Sequence, residues 1–163
     1  MVNRLHSIAA ALSMLLAASL ASAQAPGELR LTPAEIAART QGTAGVGTSG
    51  VASIRTTVLV GDPTKPGLYS LRLTVPSNTT IAAHTHRDER SAIVVSGTWF
   101  FGYGRVAADE ALKALPAGSF YTEPAGAAHF AMTKDEPVEI VITGYGPTDT
   151  QYVDPANDPN RKP

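Results

Sequence analysis

The chain has no cysteine. That excludes a disulfide framework, a thiolate metal ligand and a thiol nucleophile. Charged residues are sparse, 17% of the sequence, and nearly balanced, with 13 Lys and Arg against 14 Asp and Glu. No basic stripe is present, so no nucleic-acid partner is expected. Gly42, Gly45, Gly47 and Gly50 are not followed by the Lys-Ser/Thr of a phosphate loop, and the stretch reads as a connector. No Gly-x-Ser-x-Gly elbow occurs, which leaves a serine triad without support. Histidine is scarce as well, with four in 163 residues.

What is present begins with an apolar run from Ile8 to Leu20, too short and too rich in Ala and Ser to span a bilayer well. Arg4 and His6 precede it and Ala21-Ser22-Ala23 follows it. This is the pattern of a Sec-type signal peptide, with cleavage expected after Ala23. The expectation is an exported protein, periplasmic or secreted, with no stable membrane anchor. The remaining chain is long enough for one core. Residues 24–50 read as a lead-in with a short helix, residues 51–146 as a β-barrel and residues 147–163 as a tail that is extended or disordered at its end.

Thr32-Pro33-Ala34-Glu35 carries a helix start, with Thr as cap, Pro at the first helical position and Glu three residues on. A helix over Pro33–Thr40 follows from it. From Val51 the sequence becomes β-branched and alternating. Tyr69, Leu71, Leu73 and Val75 fall on one strand face, with Ser70, Arg72 and Thr74 on the other. Further strands are expected at 53–60, 80–85, 91–96, 98–103, 112–115, 120–122, 129–133 and 138–143. Short strands separated by Gly and Pro turns predict an all-β antiparallel barrel or jelly roll with a short N-terminal helix.

The histidines outside the leader fall into one constellation. His84 and His86 are two apart, so a strand points both imidazoles to one side. His129 begins another predicted strand. Neutral imidazole is the commonest protein ligand for transition metals, and three protein ligands leave coordination positions open for water, substrate or dioxygen.

The spacing around these residues resembles the two motifs of the cupin family, G-x5-H-x-H-x(3,4)-E-x6-G and G-x5-P-x-G-x2-H-x3-N. The second is matched by Gly118, Pro124, Gly126 and His129, with Thr133 in place of the final Asn. The first is matched by His84, His86 and Gly97, with Asn78 in place of the leading Gly, a mild change because Asn tolerates left-handed backbone. The resemblance spans about residues 68–143 and implies a double-stranded β-helix. It also implies one divalent transition metal ion (Fe, Mn, Zn, Cu or Ni) on His84, His86 and His129. Where the family places its ligating Glu, this sequence has Arg90, with Glu89 beside it. Two readings stay open. Either Glu89 turns inward as a fourth ligand, or the site is three-histidine and Arg90 points at the cavity or pairs with Asp88 or Glu89. A guanidinium at the metal would favour an anionic substrate.

Trp99, Phe101 and Tyr103 form an aromatic strand face, suited to the core or to a pocket wall. Tyr121 and Glu123 share a face just before the second motif, where they are placed to donate and accept protons. With Arg90, these are the candidate catalytic residues. The resemblance implies a small metal-dependent enzyme acting on a small organic molecule, as an oxygenase or as a Lewis-acid isomerase or lyase. A non-enzymatic ligand-binding or metal-sensing module is the alternative reading, and a homodimer would cover open sheet edges.

Overall fold

A computed structural model describes residues 27–43 and 45–161. The predicted signal peptide lies outside the described residues. A short helix, α1 (Pro33–Ala37), opens the described chain and is followed by ten strands. They are β1 (Arg55–Val60), β2 (Gly67–Val75), β3 (Thr80–Thr85), β4 (Arg90–Ser96), β5 (Thr98–Tyr103), β6 (Lys113–Pro116), β7 (Phe120–Glu123), β8 (His129–Met132), β9 (Val138–Gly146) and β10 (Gln151–Tyr152).

The strands form two five-stranded sheets, ordered β1-β2-β9-β4-β7 and β10-β3-β8-β5-β6, with antiparallel pairing throughout. This is a jelly roll, as the alternation predicts. Tyr69, Leu71, Leu73 and Val75 of β2 are all buried, and they meet Val94, Ile140, Ile142, Trp99 and Phe101 in one core. Each such side chain taken from water contributes about 1.5–3 kcal/mol. Trp99 and Phe101 point inward as expected, whereas Tyr103, at the strand end, is half exposed.

The helix has the capping box foreseen from Thr32 and Glu35 but ends at Ala37, short of the expected Thr40. None of its residues is buried, so no apolar face extends it. The region after Gly144 departs further from expectation. β9 runs on to Gly146, and β10 pairs with β3 through Gln151↔Thr85 and Tyr152↔His84. The polar composition of this tail hides a strand whose binding comes from backbone pairing. Gly42 forms a bridge with Thr56, and Gly47–Gly50 are buried, so the glycine-rich connector is part of the packed body.

Two motif positions explain their residue choice. Asn78 has φ +55°, the left-handed conformation its place in the motif demands. Gly97 has φ +73°, and a Cβ there would stand 2.4 Å from the Pro137 carbonyl oxygen. Gly97→Ala therefore combines strain with a backbone clash, and is expected to cost about 2–3 kcal/mol, read as a lower urea midpoint with an unchanged slope.

Candidate metal centre

The site is assembled from both sheets. His84 on β3 and His129 on β8 are direct cross-strand partners, which brings their ring centroids to 4.4 Å. His86 follows just beyond β3, its centroid 4.9 Å from His84 and 5.2 Å from His129. One ligand atom from each of the three lies within 4.8 Å of the others, and all three residues are buried. In the opposite sheet Arg90 on β4 pairs directly with Glu123 on β7. Both side chains turn inward and are buried.

Each imidazole is oriented by its backbone surroundings. Nδ1 of His84 donates to the Ala82 carbonyl at 2.8 Å, and Nδ1 of His129 to the Ala127 carbonyl at 3.1 Å. Nδ1 of His86 donates to the carbonyl of Asp149, in the segment leading to β10. A ring that donates from Nδ1 carries its lone pair on Nε2. Nε2 of His86 and of His129 are buried and have no hydrogen-bond partner among the described residues. Burial, reinforced by the charge of His129, lowers the pKa of His84 to about 4. Burial and then Arg90 lower that of His86 to about 2, and burial lowers His129 as well. All three rings are neutral at neutral pH, the form that ligates metal.

Glu123 faces these rings. Its Oε2 lies 3.8 Å from His86 Nε2 and 3.7 Å from His129 Nε2. The same oxygen accepts from Arg90 Nε at 2.7 Å and from Arg90 Nη2. Burial acts to raise the Glu123 pKa, but Arg90, with His129 and His86, outweighs it and holds the carboxyl at about 2. Neutral imidazole lone pairs and a carboxylate thus converge with no proton among them. Such a set of buried electron-pair donors fits a divalent cation. The three histidines could hold one, with the carboxylate at the margin of the set.

Glu89 is exposed and is not brought to the site. Arg90 does turn inward, but its partner is neither Asp88 nor Glu89. It takes Glu123 across the ladder, and Asp88 accepts instead from the Tyr69 hydroxyl at 2.7 Å. The carboxylate beside the histidines therefore comes from β7, and a cation occupies the β4 position. Tyr121, two residues before Glu123, is buried with its hydroxyl unpartnered among the described residues. Burial and then the Glu123 charge raise its pKa well above the usual phenol value, so it stays protonated. Thr133, where the motif has Asn, accepts from the Thr79 amide and donates to the Pro76 carbonyl, so it ties the Asn78 turn to β8.

Side chains of Arg90, Tyr121, Glu123, His84 and His129 line one chamber with Trp99, Phe101 and apolar residues of β2 and β9. Its volume is about 30 Å³, room for very few water molecules. Thr48 and Ser49 of the glycine-rich stretch also line it, a role that the sequence pattern did not signal. The Asp149 carbonyl behind His86 went unforeseen for the same reason.

No family model matches the chain, and no characterised protein matches it by sequence. Solved structures do match. An RmlC-like cupin from Shewanella frigidimarina aligns with a TM-score of 0.55 at 16% identity, over 74% of this chain and 92% of that one. The polyketide cyclase RemF from Streptomyces resistomycificus aligns with a TM-score of 0.62 at 14% identity, over 81% and 89%. The DMSP lyase DddQ from Ruegeria pomeroyi aligns with a TM-score of 0.53 at 17% identity, over 68% of this chain and 57% of that one. These likenesses show that the chain has the cupin fold.

The geometry separates the two acidic candidates. Glu123→Gln is expected to weaken zinc binding about 10–100-fold, while Glu89→Gln leaves it unchanged, both by calorimetric titration. His129→Ala should abolish stoichiometric zinc binding with the far-UV circular dichroism retained.

Proposed function

We propose that the chain is a metal-dependent enzyme that moves protons on a small organic anion, as a lyase or isomerase does. The observation that carries this reading is the cluster of three neutral imidazoles, two of which share one chamber with a guanidinium-held carboxylate and an unpartnered phenol. His84, His86 and His129 would hold the ion, and Glu123 would complete or adjoin its donor set. The bound ion would supply Lewis acidity toward a substrate oxygen.

The remaining chemistry falls to this chain's own side chains. Tyr121, kept protonated, donates to an oxygen that gains negative charge. Glu123 is the one carboxylate among the chamber-lining residues, so the base role falls to it. Its low pKa makes it a weak base, suited to a carbon acid already polarised at the neighbouring oxygen. Arg90 positions Glu123 and balances its charge, so that a dication and an anion can meet beside it. The apolar walls exclude water and strengthen each of these interactions. A cyclase and a lyase stand among the proteins of like fold, which supports proton-transfer chemistry over oxygen insertion. The apolar leader adds export from the cytoplasm to the proposal.

The test is direct. Protein purified with its metal is incubated in D2O with a panel of 2-oxo and β-substituted small carboxylates, while deuterium incorporation, elimination products and dissolved oxygen are followed. Metal-dependent exchange or elimination without oxygen uptake is expected, and Tyr121→Phe should lower kcat about 100-fold or more. Oxygen consumed in step with turnover overturns the reading.

A further inference from the structure

The histidine chamber is far too small for any substrate in the conformation seen, and one segment accounts for that. Gly47, Thr48 and Ser49 line the chamber on one side and an outer cleft of about 510 Å³ on the other. The segment thus lies between the buried site and the outer cleft, which residues of the tail also line. We propose that Gly47–Gly50 is a lid over the histidine chamber and that, once it lifts, an anionic group of the substrate takes the Arg90 donor now held by the Gly47 carbonyl.

The lid is fastened in a way unlike the rest of the fold. It contributes no strand to either sheet. Among the described residues its hydrogen bonds to the body of the molecule are three, each to a consecutive carbonyl. Arg90 Nη1 donates to Gly47 O at 2.6 Å, Thr150 Oγ1 to Thr48 O at 2.7 Å, and the Tyr152 hydroxyl to Ser49 O. Its other hydrogen bonds close a local turn, with Thr48 donating its amide and hydroxyl to Gly45 O and accepting from the Gly50 amide. The turn can therefore move as a unit when these three contacts and the packing of the tail over it release. The tail packs closely over its ends. Gly47 and Gly50 have φ of +82° and +79°, and a Cβ on either would collide with Thr148 or Asn160 of the tail that overlies them.

Arg90 gives the lid its chemical meaning. Its Nε and Nη2 are committed to Glu123, and its Nη1 reaches the lid. Lifting the lid leaves that N–H directed at the chamber, beside the histidines. A buried donor of this kind needs an acceptor, and a guanidinium selects an anionic oxygen over a neutral one. A substrate carboxylate meets that need while its reacting carbon lies toward the histidines. The inference rests on the proton-transfer reading for its substrate, but the lid itself can be tested without catalysis.

Trp99 is the one tryptophan of the chain, is 3% exposed, and lines the chamber. Its acrylamide quenching therefore reports access. Measured before and after chelator treatment, the Thr150→Val, Tyr152→Phe double variant should raise the quenching constant about tenfold, since each lost hydrogen bond multiplies the open population severalfold. An unchanged constant overturns the lid. Acetate should shift Trp99 emission saturably in the wild type and acetamide should not. Arg90→Lys should weaken the acetate response about tenfold. Equal responses to acetate and acetamide overturn the anion site, even where Arg90→Lys does not fold. Quenching needs no metal, so a protein that takes up no zinc still answers this test, and a rigid lid leaves the metal reading standing.

Discussion

One buried ion pair organises the interior. Arg90 and Glu123 face each other across the β4–β7 ladder, and both are buried. Two desolvated charges survive there because each neutralises the other, and removing one partner from such a pair typically costs about 3–5 kcal/mol. The pair also sets the electrostatics of the histidines. An unpaired guanidinium would repel a metal cation, and an unpaired carboxylate would take up a proton. Together they leave a site of neutral imidazoles with a fixed carboxylate alongside.

The histidine half of the site follows from different physics. Backbone carbonyls of Ala82, Ala127 and Asp149 take the three Nδ1 protons, so tautomer and ring orientation are set by the main chain. No side chain has to be recruited for that purpose. The barrel supplies rigidity, because His84 and His129 are neighbours within a ladder. Geometry, protonation state and charge thus come from three separate parts of the fold and agree on one point in space.

Much of this was readable beforehand. Alternation at Tyr69–Val75 marked the core, and the spacing of His84, His86 and His129 marked the site, because both depend on side-chain periodicity that strand geometry fixes. Asn78 was legible for a similar reason, since its left-handed backbone follows from its place in a motif. The position of the carboxylate was not. Which of Glu89, Arg90 and Glu123 faces the histidines depends on the phase of β4 and on its pairing with β7, a long-range register that local sequence does not carry. The glycine-rich stretch and the tail were harder still. Gly47, Thr48, Ser49 and Asp149 act through carbonyl oxygens that every residue has.

The tail has one more consequence, and it concerns time. Thr150 reaches Thr48 across 102 residues and Tyr152 reaches Ser49 across 103. Contacts so distant along the chain close loops that span most of the described residues. The chamber is therefore sealed, and His86 is given its Asp149 acceptor, only when nearly the last described residues arrive. A competent centre in this sense requires the tail to be docked, and a barrel without it stays open to whatever ions surround it.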